Sequence, residues 1–110
     1  MHGFLEVNGV RLNTETREVV CDGVPVDLTS VEFKILEVLM ESAGRLVSRD
    51  EVARLAGDTV ANPNEHPIDI QINQLKRKLE RGRRLIVTLR DAGYLFATAD
   101  EHGATDHQLA

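Results

Sequence analysis

Residues 66–94 constrain the fold most, because a two-faced helix pattern there runs directly into a strand pattern. At about 100° per residue, Ile68, Ile72, Leu75 and Leu79 fall on one stripe, while Ile70, Asn73, Gln74, Arg77 and Arg81 fall on the opposite side. Such a helix buries one face and offers the other. The offered face has a definite chemistry. Two adjacent carboxamides sit beside an isoleucine and lead into a cluster of Lys and Arg. Carboxamides match the donor and acceptor on an adenine edge, a branched apolar side chain can meet a thymine methyl, and cations neutralise phosphate. Taken alone, the pattern fits a solvated basic helix with one stray Ile equally well, so the rest of the chain must decide.

The flanks set the limits of this helix. Pro67 suits a first helical position, His66 before it is pushed out of helical dihedrals, and Asp69 in the first turn favours the helix dipole. A helix over 67–81 follows. After Gly82, Leu85-Ile86-Val87-Thr88-Leu89 and Tyr94-Leu95-Phe96 read as strands around Arg90-Asp91-Ala92-Gly93, giving a terminal hairpin over 84–97. Residues 98–110 turn small, polar and acidic, the composition of a disordered tail.

Upstream, residues 4–28 alternate apolar and polar around Asn8-Gly9 and Asp22-Gly23, dipeptides that supply the positive φ angles of tight hairpins. They predict an antiparallel sheet of three or four strands. Thr29-Ser30-Val31-Glu32 is a capping box that opens a helix over 29–43, apolar over a wide arc and therefore central to the core. Leu46-Val47 reads as a short apolar link. Ser48-Arg49-Asp50-Glu51 is a second capping box, opening a brief helix over 48–57 with Val52, Leu55 and Ala56 inward. Residues 58–66 have loop composition. The fold class is α+β: a sheet, three helices and a hairpin in one domain over 4–97, with Met1-His2-Gly3 reading as an expression scar.

Charge narrows the chemistry. The net charge of −5 argues against a polyanionic partner only as an average. Asn73 to Arg90 holds seven basic residues and one acid, Glu80, while the rest of the chain holds 6 basic against 17 acidic residues. The chain is polarised. One cysteine, Cys21, excludes an internal disulfide and suits a strand position, and the four histidines lack ligand spacing, so neither a metal nor another cofactor is expected. With no placed nucleophile and base and no Gly-rich phosphate loop, an enzyme is not expected. No apolar run is long enough to span a membrane, and a cytoplasmic location is expected.

Two capped helices in tandem, the basic one followed at once by a hairpin, is the order of a winged helix-turn-helix. With a sheet in front, Leu5 to Phe96 resembles the output domain of OmpR/PhoB-type response regulators. The resemblance rests on four blocks in order: Leu28–Leu36, Gly44–Glu51, Ile68–Leu79 and Thr88–Tyr94. It implies a bacterial transcription factor of a two-component system that binds double-stranded DNA, with the third helix in the major groove and the wing in the adjacent minor groove. Carried over by position, Ile70, Asn73, Gln74 and Arg77 match base-reading sites. Arg49, Lys76, Lys78, Arg81 and Tyr94 match backbone contacts, and Thr88 and Arg90 match the wing. Asp58, Thr59, Val60, Asn62 and Asn64 lie in the segment that in activators touches an RNA polymerase subunit. The resemblance also implies a phosphoacceptor receiver domain in the full-length protein and a dimer on DNA.

Each departure from that family pattern removes a cation or a phosphate donor, or adds an anion. His66-Pro67 stands where Arg-Thr or Arg-Ala is common, Gln71 where many members have His, Gln74 where a base-reading Arg is frequent, Ala56 where an aromatic is common, and Asp91 where the wing usually has Gly. Asn/Gln-to-adenine readout is therefore expected to replace Arg/Lys-to-guanine readout. The alternative is a protein-interaction winged helix with weak or lost DNA binding.

Overall fold

The computed structural model describes residues 3–56, 68–80, 84–89 and 92–98. Strands β1 (Phe4–Val7) and β2 (Val10–Asn13) are joined through Asn8 and Gly9, at φ 51° and 85°, and β3 (Val19–Cys21) and β4 (Val24–Val26) through Asp22 and Gly23, at φ 52° and 85°. Two successive positive φ angles make the tight turn whose twist matches paired strands. At the corner between the hairpins the Asn13 side chain accepts from the N–H groups of Glu15 and Thr16 at 2.8 and 3.0 Å. All four strands pair antiparallel in sequence order. Val10, Leu12, Val19 and Cys21 point into the core with the period of two that a half-buried sheet demands. Pro25 lies on the edge strand, where a missing N–H is tolerated.

Helix α1 (Ser30–Glu41) starts as its sequence predicts. The Glu32 N–H donates to the Thr29 hydroxyl at 3.1 Å, and the Glu32 carboxylate accepts from the Thr29 N–H at 2.9 Å. Its wide apolar arc puts Phe33, Ile35, Leu36, Val38, Leu39 and Met40 in the core.

Helix α2 (Arg49–Ala56) and helix α3 (Ile68–Leu79) both pack on α1, and so does β1. Of the residues expected inward on α2, Val52 is fully buried. Leu55 is not: it is 36% exposed. Pro67, the expected helix start, lies outside the described residues.

The wing carries the main difference from the sequence reading. Leu46-Val47 is not a plain link: Val47 joins Ser48 in strand β5 (Val47–Ser48), paired antiparallel with β7 (Gly93–Phe96), which also pairs with β6 (Ile86–Leu89). The sheet is three-stranded, in the order β5-β7-β6. Two residues show no periodicity to read. The decisive residue is remote: Gly93, at φ 147°, would place a Cβ 2.1 Å from the Val47 carbonyl oxygen, so only glycine admits β5. The Asn8 side chain closes the domain by donating to the Ala97 carbonyl at 3.0 Å.

Candidate nucleic-acid interface

The two faces of α3 separate as the helix period requires. Ile72, Leu75 and Leu79 are buried, with Gln71 beside them, while Ile70 is 48% exposed and Asn73, Gln74 and Arg77 are exposed. Lys76 is half-buried at the edge of that outer face. An isoleucine, two carboxamides and a guanidinium thus form one surface of a helix held by its other side.

Beside it lies a cleft of about 450 Å³ between α3 and the wing, whose walls include Arg49, Asp69, Asn73, Thr88, Leu89 and Tyr94. Asp69 organises it. The Arg49 Nε and Nη2 groups donate to the Asp69 Oδ1 and Oδ2 atoms at 3.1 and 2.8 Å, and the Tyr94 hydroxyl also donates to Oδ1. These hydrogen bonds, Arg49's first and Tyr94's second, hold the Asp69 carboxyl below its usual range. Asp69 in turn holds the Arg49 guanidinium above its usual value. Burial, then the Asp69 hydrogen bond, pushes the Tyr94 phenol up to about 12. Expected as a free backbone donor, Tyr94 is instead a core residue, 2% exposed, whose proton is directed at Asp69. Arg49, also expected to meet phosphate, is engaged with Asp69 while its side chain stays 52% exposed.

Lys78 has a partner within the protein. Read as a backbone cation, it turns toward α1, where its Nζ lies 2.7 Å from the Glu32 Oε1, a carboxylate only 1% exposed. At seven residues after Gln71, nearly two full turns, Lys78 occupies the same side of α3 as that buried carboxamide. Its charge compensates a buried anion.

Glu80 has a structural role that a reading by charge does not show. The acid in the basic window accepts from the N–H groups of Leu85 and Ile86 at 2.8 and 2.7 Å, tying the end of α3 to the start of the wing. Its position between a helix end and a strand start was the available signal. Thr88 is exposed on β6. Arg81 and Arg90, with Asp58, Thr59, Val60, Asn62 and Asn64, lie outside the described residues. Among the described residues no cluster of His, Cys, Asp and Glu could hold a metal ion, and no helix is long and apolar enough to cross a membrane.

Comparison with known proteins agrees with this geometry. The sequence model of the family described as "Transcriptional regulatory protein, C terminal" matches residues 23–96. Transcriptional regulatory protein CutR of Streptomyces coelicolor is 38% identical over 90 residues, covering 82% of this chain and 41% of CutR. Transcriptional regulatory protein CpxR of Klebsiella pneumoniae is 37% identical over 98 residues, covering 86% of this chain and 42% of CpxR. The chain therefore spans about two-fifths of the length of these curated relatives. Among solved structures, the DNA-binding domain of CpxR from E. coli superposes with a TM-score of 0.72 at 35% identity, covering 86% of this chain and 96% of that one. The DNA-binding domain of RstA from Klebsiella pneumoniae, solved in complex with the RstA box, gives 0.74 at 27% identity, covering 88% and 99%. The chain belongs to the family of C-terminal domains of transcriptional regulatory proteins, the winged helix-turn-helix domains of OmpR/PhoB-type response regulators.

Proposed function

We propose that this domain binds double-stranded DNA in a sequence-specific way to regulate transcription, with α3 in the major groove and the wing in the adjacent minor groove. The observation that carries this reading is the outer face of α3. Ile70, Asn73, Gln74 and Arg77 stand clear of the core, next to a cleft that Thr88 of the wing also lines. A bidentate Asn or Gln contact specifies adenine, so operators rich in A·T pairs at the helix-facing positions are expected. Arg77 joins the base-reading set, Lys76 and Arg81 supply phosphate neutralisation, Arg49 joins them from α2, and Thr88 and Arg90 serve the wing. Family membership supports the wider setting: a receiver domain elsewhere in the full protein, a dimer on DNA, the segment with Asp58, Thr59, Val60, Asn62 and Asn64 toward an RNA polymerase subunit, and action in the cytoplasm.

Selection of bound duplexes from a random library, followed by titration at several salt concentrations, tests the reading. Log affinity should fall linearly with log salt. Gln74→Ala should relax specificity at one or two positions, and Lys76→Ala should weaken all duplexes alike while reducing the salt slope by about one. Recovery of no enriched duplex, with no binding at micromolar protein, would refute it.

A further inference from the structure

We propose that Asp69 is a positioning residue for phosphate recognition, a carboxylate that locks Arg49 and Tyr94 into the walls of the cleft between α3 and the wing; the proposal rests on the DNA-binding reading above. By charge alone Asp69 is out of place. It sits, 55% exposed, on the cleft that Asn73 and Thr88 share, where a polyanion would be repelled. Geometry accounts for it.

A guanidinium presents five N–H groups in a fixed plane. The Nε and Nη2 bonds to Asp69 occupy one edge of Arg49, and the remaining donors lie on its other edges, in directions that the plane dictates. Fixing one edge on Asp69 therefore aims the rest. The Arg49 side chain is 52% exposed and would otherwise sample many rotamers. Ordering it before DNA arrives removes that entropy cost from the binding step. The same Asp69 oxygen that takes the Arg49 Nε–H also accepts from Tyr94, so one carboxylate fixes α2, α3 and β7 relative to one another. Its lowered pKa keeps it charged throughout the neutral range.

The sign of the effect separates positioning from plain electrostatics. Asp69→Asn removes an anion from a DNA-facing surface while nearly keeping its shape. Electrostatics alone predicts tighter binding to every duplex. Positioning predicts weaker binding to the cognate one. Wild type and D69N are titrated against the duplex selected on the wild-type chain and against a scrambled duplex of the same composition. The expected result is unchanged or slightly stronger binding to the scrambled duplex and about tenfold weaker binding to the selected one, the scale of one lost charge-assisted hydrogen bond.

Tyr94 is the only tyrosine in a chain without tryptophan, so its ultraviolet titration reports the lock directly. Its midpoint should fall from about 12 in D69N. Arg49→Lys, which keeps the charge but lacks the fork, should lose the same discrimination, and it decides the matter if D69N fails to fold. An unchanged ratio between the two duplexes in a folded variant would overturn the proposal. A wild-type chain that binds no selected duplex would overturn the DNA-binding reading and the proposal with it, a different and recognisable result.

Discussion

Lys78→Met removes a cation from a basic helix, yet the structure predicts damage to the fold rather than to DNA affinity. The substitution keeps most of the stem and leaves the Glu32 carboxylate, 1% exposed, held by the Thr29 N–H at 2.9 Å but without its cation. Stranding one member of a fully buried ion pair costs about 3–5 kcal/mol. Two features place this pair below that range. Lys78 is 40% exposed, and Glu32 sits in the first turn of α1, where the helix dipole favours an anion. A loss of about 2 kcal/mol is therefore expected, which for a domain of this size lowers Tm by about 8–16 °C. Urea and thermal unfolding of K78M, E32Q and the double variant form the cycle that measures it. The carboxamide of E32Q can still serve the capping box, so the double variant should be more stable than K78M alone. The salt slope of DNA binding, measured well below Tm, should stay at the wild-type value. An additive cycle, or a slope reduced by about one as for a phosphate contact, would refute the assignment of Lys78 to Glu32.

Three further outcomes follow from particular contacts. Gly93→Ala combines a forbidden φ of 147° with a Cβ 2.1 Å from the Val47 carbonyl oxygen, and urea unfolding should show a loss near the top of the single-substitution range, about 4 kcal/mol. Glu80→Ala deprives the Leu85 and Ile86 N–H groups of their acceptor, at a cost of about 1–3 kcal/mol, and amide exchange at those two residues should accelerate more than in β7. Alkaline stability depends on Tyr94. Because its folded pKa of about 12 lies above the ordinary phenol value, its contribution is complete below about pH 10 and is lost as pH rises toward the folded value. Thermal melts across that interval should steepen in their decline for wild type and flatten for Tyr94→Phe.

Local rules made most of the fold legible. Asn8-Gly9 and Asp22-Gly23 specify their turns by dihedral requirement, Thr29 and Glu32 specify a helix start by reciprocal hydrogen bonds, and Ile68, Ile72, Leu75 and Leu79 specify a buried face by period. The outer face of α3 was legible for the same reason, as the complement of its core stripe. What was missed depends on pairs distant in sequence. Lys78 finds Glu32 across 46 residues, Asp69 finds Arg49 across 20 and Tyr94 across 25, and β5 exists because Gly93 leaves room for it. A charge read along a helix shows its side of the wheel but not the neighbour waiting there. Lys78 and Tyr94 read along the chain as DNA contacts, and the sequence does not show the contacts that each makes within the protein.

The two-residue strand β5 changes what kind of object the wing is. β7 is bonded on one side to β6 and on the other to residues that run straight into the first turn of α2. The wing is joined to the helical body by strand pairing as well as by the chain. Thr88 on the outer strand and the backbone that leads into Arg49 thus belong to one hydrogen-bonded sheet.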